Sequence, residues 1–296
     1  MIVHIGYHKT GSTYLQNKIF PYLKGVDFYS YTGDKDILEG ISENAALDVE
    51  IDNYKAEIAK LQSKNLLYSN ENLIGPLFYM TGLSKTDIAQ NLKEIGFEKV
   101  IITIRNQYDM LDSIYRQYIM EGGVARFDFF IGDWRYSFNL KHLRFYRLIK
   151  YYHSLFDKDN VLVLLNEEMK QNEAETIKKI ELFTGGKYVK PENTLDPKKA
   201  NISISNGSIR LLRIFNHFVR SHHRPSNLLL PFAARTFYFR YLLQRFLDPY
   251  LISKFSSRKS FVAPDIRKHL HKKYAVSNAK LVKEFGLDLA KHNYPL

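Results

Sequence analysis

The 296 residues contain no cysteine. A disulfide framework and a cysteine-based metal centre are therefore excluded, and the composition fits a reducing compartment. No apolar run approaches the roughly 18 residues that a membrane-spanning helix needs. No secretory pattern precedes the first apolar run, which starts at Ile2, so a cytoplasmic protein is expected. Internal repeats and low-complexity tracts are also missing. Acidic residues are nearly absent from one stretch: residues 207–260 hold ten Lys and Arg against the single Asp248.

What remains is an ordinary globular balance, 45% hydrophobic and 25% charged, with a net charge of +12 from 43 Lys and Arg against 31 Asp and Glu. Such an excess favours anionic partners: nucleotides, sulfated or phosphorylated sugars, nucleic acid or an anionic membrane face. The pattern alternates strand and helix over the first two thirds. Strands are expected near Ile2–Ile5, Leu66–Ser69, Val100–Ile104 and Val161–Leu165, and helices near 12–23, 52–63, 84–95, 108–120, 140–156 and 173–184, with a loop over 31–50. Val100–Ile104 is continuously apolar and β-branched, as a parallel strand buried on both faces is. The alternation predicts an α/β class, a P-loop-like three-layer fold with a mainly parallel central sheet. Beyond about residue 205 only helices are expected, two of them in 265–296, which makes a helical C-terminal extension.

The first strand and the turn that leaves it are the centre of the reading. Gly6 ends the apolar run, Gly11 follows five residues later, and a helical pattern begins at Ser12. Strand, glycine-spaced turn and helix are how a backbone wraps a phosphate, because the turn's amides and the helix N-terminus both present positive charge. The spacing Gly6-x-x-x-x-Gly11-Ser12-Thr13 is close to a nucleoside-triphosphate loop. Lys9, however, lies inside the turn instead of after the second glycine, and this displaces its ammonium along the phosphate chain. Ligands of parallel sheets bind beyond the carboxyl ends of the strands, and Gly6, Glu71 and Arg105 each stand at or just past such an end.

His8-Lys9-Thr10-Gly11-Ser12-Thr13 resembles the 5′-phosphosulfate loop of sulfotransferases that use 3′-phosphoadenosine 5′-phosphosulfate (PAPS). Arg105, with Ser113 eight residues on and then Ser113-x-Tyr115, resembles that family's second motif, which grips the 3′-phosphate. The family often has proline shortly after the arginine; Asn106-Gln107 stand here instead. Further echoes are Val161–Leu165 with the acidic Glu167-Glu168-Met169 loop, Ile180–Gly185, Asn201–Ser205, and Tyr274-x-x-Ser277-Asn278-x-x-Leu281. The resemblance covers most of residues 1–206 and 265–296. It implies that His8, Lys9, Thr10, Gly11, Ser12, Thr13, Arg105 and Ser113 bind PAPS, with Lys198 and Lys199 adding charge near the 3′-phosphate. It also implies that Lys9 stabilises the leaving oxygen and that no metal is needed. The implied organisation is a core over 1–206, a basic aromatic helical insertion over 207–264, and C-terminal helices over 265–296 packing on the core.

An acceptor hydroxyl needs a general base. Glu71, in Tyr68-Ser-Asn-Glu71-Asn-Leu73, resembles the Ser-x-Glu-x-Leu placement of the bacterial and glycan members, which implies the bacterial, carbohydrate-type branch and a saccharide or glycolipid acceptor. His142 and His8 compete with Glu71 for the role. The basic stretch reads either as helices packed on the core or as a lid for an anionic acceptor or the inner face of a membrane. Two other functions stay open. A small-molecule kinase would need a magnesium-binding acid and a lysine where Ser12 stands, and a non-catalytic polyanion- or membrane-binding protein would not depend on Lys9. Nucleic acid is not an expected partner.

Overall fold

The computed structural model describes residues 1–31, 37, 38, 41, 50–78, 84–132, 138–191, 204–221, 223 and 239–296. Most of the expected 31–50 loop, Lys198, Lys199, Asn201, Arg224 and Arg235 lie outside the described residues. The chain divides into two compact units, Met1–Met110 with Ser137–Glu192 and Lys268–Leu296, and Leu111–Tyr136 with Asn193–Arg267.

The first unit is built on a five-stranded sheet. Its strands are β1 (Ile2–His4), β3 (Asp27–Ser30), β4 (Leu66–Ser69), β5 (Lys99–Ile104) and β6 (Val161–Leu165), in the order β3-β4-β1-β5-β6. Every neighbouring pair is parallel, so the expected parallel α/β architecture is observed. The short strands β2 (Leu23–Lys24) and β7 (Lys187–Tyr188) form a separate antiparallel pair. From β1 the chain goes to the β3 edge, returns through β4, and then crosses to β5 and β6 on the other side of β1. The winding direction therefore changes at β1, and the crevice beyond its carboxyl end is where such sheets bind ligands.

Val100 to Ile104 are all fully buried. Because side chains alternate along a strand, both faces of the sheet must be covered. On one face Ile2, Leu67, Ile101 and Leu164 meet Leu15, Ile19 and Phe20 of the first helical segment and Met169 and Ile180 further on. The helices α3 (Lys85–Ile95) and α6 (Phe145–Phe156) pack on each other, and α6 packs on β5 and β6. The first helical segment is not regular: α1 (Ser12–Tyr14) widens to a π-turn at Leu15–Ile19 and tightens to a 3₁₀ turn at Phe20–Tyr22, where Pro21 sits near its start. Helix α2 spans Ile51–Ala59.

Several expectations are corrected. The long helix over 140–156 is a 3₁₀ turn, Leu140–Leu143, capped by the side chain of Asn139, followed by α6 after a break at Arg144. The acidic loop at Glu167–Met169 is instead a helix, α7 (Asn166–Gln171), which leads into α8 (Glu173–Thr184). Two acids in its first turn suit the positive end of the helix. The C-terminal stretch holds one 22-residue helix, Pro264–Phe285, and a single 3₁₀ turn at Ala290–His292 instead of two helices.

Helix α4 (Gln107–Met120) starts in the first unit, and from Leu111 onward it belongs to the second. The second unit also holds α5 (Phe127–Gly132), α9 (Asn206–Phe215) and a wide π-helix, Leu243–Ile252. A buried carboxylate joins two of these helices: Asp248 is 0% exposed and accepts from the backbone N–H of Ser205 and from the hydroxyls of Ser205 and Ser208. Ser205 also caps α9, as serine does where the first helical amides lack partners. Arg116 fixes the same segment, with bonds to Asp112, the Ile204 carbonyl and Asn206.

Candidate active site

After β1 the backbone keeps pairing with β5: Ile5 N–H donates to Ile101 O and Tyr7 N–H to Thr103 O, both at 3.0 Å. The chain then turns through His8–Gly11 into α1. Lys9 has φ 66° and Gly11 has φ 96°. Gly11 adopts this left-handed conformation freely, whereas in a lysine it costs energy of the kind that collects at ligand-binding turns.

The carbonyls of the turn are held by surrounding donors. Thr10 Oγ1 donates to Tyr7 O, Arg105 Nη1 donates to Lys9 O at 3.1 Å, and Asn166 Nδ2 donates to Thr10 O at 2.7 Å. With three carbonyls drawn toward protein donors, the following amides are biased to the opposite side, and the helix start adds N–H groups without intrahelical acceptors. Ser12 is buried, and its hydroxyl has no hydrogen-bond partner among the described residues. Lys9 and Thr13 are exposed and His8 is buried. Thr10 is 0% exposed, and its hydroxyl is committed to Tyr7 O and to Thr103 Oγ1 at 2.6 Å. That hydroxyl secures the turn from below.

Beneath the turn runs a buried polar chain. Ser69 Oγ pairs with His4 Nδ1 at 2.7 Å, Thr103 Oγ1 lies 3.4 Å from His4 Nε2, and Gln16 Nε2 donates to Ser69 Oγ at 3.0 Å. Burial lowers the His4 imidazole to about 3, so it stays neutral and serves only as a hydrogen-bond link. Gly6 is required where the backbone crosses this chain, since a Cβ there would lie 2.1 Å from Thr103 Oγ1 and 2.8 Å from His4 Nε2. A Cβ at Gly11 would lie 2.6 Å from Asn166 Nδ2.

Arg105 follows the last residue of β5 and is half-buried. Its neighbour Asn106, in the stretch where the family often has proline, has a clear local task. Its side chain accepts from Tyr108 N–H at 2.9 Å, which caps the start of α4, and it donates to the carbonyls of His292 and Asn293. The Asn106 N–H donates to Glu167 Oε1 at 3.0 Å, and Tyr294 donates its hydroxyl to Glu167 Oε2 at 2.9 Å. Gln107 pairs with the buried Asn278, which also reaches Pro295 O. The C-terminal Tyr274/Asn278 segment thus braces the strand end that carries Arg105.

Glu71 lies two residues past β4, in the 3₁₀ turn Glu71–Ile74 that Asn70 caps through Asn72 N–H. It is half-buried and accepts from Tyr31 OH at 3.4 Å. His142 is buried between the rings of Tyr7, at 5.0 Å, and Phe138. Neither ring nitrogen of His142 has a hydrogen-bond partner among the described residues. Burial first, then Lys85 and His8, hold it well below its ordinary range. Lys85 lies over the Tyr7 ring at 5.0 Å, and burial lowers its ammonium to about 7.

The structure therefore joins the Gly6–Thr13 turn directly to Arg105 and places Glu71 at the same carboxyl edge of the sheet. Ser113 is half-buried on α4, in the second unit. The sequence reading missed Asn166, Lys170, Lys85 and Thr103. Lys170 on α7 is lowered from its ordinary value by burial and by Arg105, which identifies it as a second cation near that guanidinium. Asn166 had a usable signal, because it is the first polar residue after the buried strand β6. Among the described residues no three His, Cys, Asp or Glu side chains converge as a metal site.

Residues 1–208 match the family model of the sulfotransferase domain. Among solved structures, the chain is similar to a sulfotransferase from Alicyclobacillus acidocaldarius, with 16% identity over 66% of this chain and 86% of that one and a TM-score of 0.47. It is also similar to the mouse sulfotransferase SULT7A1 complexed with PAP, with 12% identity over 97% of this chain and 87% of that one and a TM-score of 0.42. No curated protein matches the sequence.

Proposed function

The chain belongs to the sulfotransferase family, and from that premise we propose that it moves a sulfuryl group from PAPS to an acceptor hydroxyl and releases adenosine 3′,5′-bisphosphate. The observation that carries this reading is the hydrogen bond from Arg105 to the carbonyl of Lys9. It brings the arginine beyond β5 against the turn beyond β1, so that one nucleotide can meet both.

In this reading the backbone amides of Thr10 to Thr13, with the hydroxyls of Ser12 and Thr13 and the flanking His8, hold the 5′-phosphate. The carbonyl clamps from Arg105, Asn166 and Thr10 keep those amides oriented before any ligand arrives, which is the condition for strong electrostatic stabilisation. Arg105 and Ser113 take the 3′-phosphate. Arginine suits that role because its planar fork keeps further N–H groups for phosphate oxygens after one is given to Lys9 O. Glu71 accepts the proton of the acceptor hydroxyl as its oxygen attacks sulfur. The electron pair of the breaking S–O bond stays on the phosphate oxygen, where the Lys9 ammonium meets the growing charge. That interaction is stronger in the transition state than in the ground state, so it acts on rate.

The likeness of the Glu71 segment to Ser-x-Glu-x-Leu supports the bacterial, carbohydrate-type branch, with a saccharide or glycolipid as acceptor. A cytoplasmic enzyme working at the inner membrane face goes with the glycolipid version. The 1–206 core, 207–264 insertion and 265–296 C-terminal helices are the organisation that accompanies this assignment. Thermal shift with adenosine 3′,5′-bisphosphate against ATP-Mg tests the reading. Stabilisation is expected from the bisphosphate and is expected to disappear in Lys9→Ala and Arg105→Ala. A preference for ATP-Mg would overturn it in favour of a kinase.

A further inference from the structure

We propose that α9 and the wide helix Leu243–Ile252 of the second unit form a docking surface for an anionic lipid bilayer. The proposal rests on this unit alone and does not depend on the chemistry assigned to the turn.

The single acid of residues 207–260, Asp248, is fully buried and bound to Ser205 and Ser208. It therefore brings no negative charge to the surface, while Arg210, Arg220, Arg245, Lys254, Arg258 and Lys259 are exposed. Arg258 lies 3.6 Å from the buried Asp248 carboxylate; the others make no ion pair with an acid of this stretch. These helices thus present an excess of positive charge, with Asp248 the one acid of their own stretch.

The same helices leave bulky apolar side chains in solvent. On α9, Ile209 and Leu212 are buried, while Leu211, Ile214 and, just beyond, Phe218 are exposed at a spacing of three and four residues. Leu242, which caps the wide helix, and Phe246 and Tyr250 within it recur every four residues, and all three are exposed. Tyr250 is 72% exposed, and Phe255 in the short α-helix Ser253–Phe255 that follows is 86% exposed. Single exposed apolar residues are ordinary, but lines of them along adjoining helices are not. Gly207 lets α9 approach the wide helix closely, because a Cβ there would lie 2.8 Å from Ile252. The two helices are therefore held by packing, and the exposed lines are what that packing leaves over.

Aliphatic and aromatic side chains interleaved with arginine and lysine suit a headgroup boundary. There the rings and aliphatic groups enter the acyl region and the cations meet lipid phosphates. No helix among the described residues is long and apolar enough to cross a membrane, so the contact is interfacial. A nucleic acid would satisfy the charge but offers little to Leu211, Ile214, Leu242 and Leu251. A second copy of the chain would bring two cationic surfaces together.

The test is co-sedimentation of the full chain with phosphatidylcholine vesicles, with and without phosphatidylglycerol. Binding is expected only to the anionic vesicles, and it should weaken as salt rises. The triple variant Phe246→Ser, Tyr250→Ser, Phe255→Ser keeps every charge, and it should partition about tenfold less while its thermal melt and its nucleotide response stay unchanged. Absence of wild-type sedimentation with anionic vesicles overturns the proposal. So does a triple variant that binds as well as wild type, which would make the surface a general polyanion binder. A concentration-dependent dimer abolished by the triple variant, without vesicle binding, overturns it in favour of self-association.

Discussion

Two regions of this chain are cationic, and they handle charge in opposite ways. Around the Gly6–Thr13 turn the groups that set its shape have assigned partners: Arg105 on Lys9 O, Asn166 on Thr10 O, Thr10 on Thr103, and Glu167 on the Asn106 amide. In the second unit the cations around α9 and the wide helix stand in solvent beside exposed Phe and Tyr. The first arrangement fixes donor directions and so can stabilise one charge distribution more than another. The second supplies potential without fixed geometry, which suits a broad, deformable anionic surface. Substitutions should therefore be felt sharply and individually in the first region and additively and weakly in the second.

The largest effect is expected at Lys9. Lys9→Ala should lower the sulfuryl-transfer rate by about 10²–10³, with the melting temperature nearly unchanged because Lys9 is exposed; single-turnover assay and calorimetry check both. Next comes Gly6→Ala, whose methyl would press on Thr103 Oγ1 and His4 Nε2. It should destabilise the fold by about 1–3 kcal/mol, read from denaturant midpoints. A neutral result there would break the picture of a turn held tightly over a buried polar chain.

A smaller effect concerns acid. The folded-state pKa of His4 is about 3, below its ordinary 6.5, so the unfolded chain binds the extra proton first. The stability linked to His4 is thus fully present above pH 6.5 and is lost as pH falls toward 3. His4→Gln should flatten that acid limb in urea midpoints measured between pH 7 and pH 4. The smallest effect is expected in the second unit. Arg210→Lys with Arg245→Lys should leave vesicle partition within about twofold, since a diffuse field counts charge and not fork geometry. A large loss there would show that these arginines make specific contacts, and the contrast between the two regions would fail.

Much of the site was legible because its signals are local. The β-branched run of β5, the glycine spacing of the turn and the arginine at a strand end each follow from a few adjacent residues. What was missed depends on contacts distant in sequence or on weak local patterns. Asn166 and Lys170 reach the turn and Arg105 from a helix more than 50 residues further on. That helix was read as a loop because six residues with two acids carry little apolar periodicity. The edge strand β3 is half-exposed and has no continuous apolar run, so nothing in Asp27–Ser30 announced it. Asn106 both caps α4 and binds the C-terminal carbonyls, and no spacing rule reveals that double use.

The central claim is that the turn and Arg105 hold two phosphates of one nucleotide. Titration calorimetry of wild type and Arg105→Ala with adenosine 3′,5′-bisphosphate and with adenosine 5′-phosphate tests it directly. The account predicts that wild type prefers the bisphosphate and that Arg105→Ala, losing about 10- to 100-fold toward it, binds the two ligands alike. Equal affinity of wild type for the two nucleotides, or a loss in Arg105→Ala that is the same for both, would contradict it.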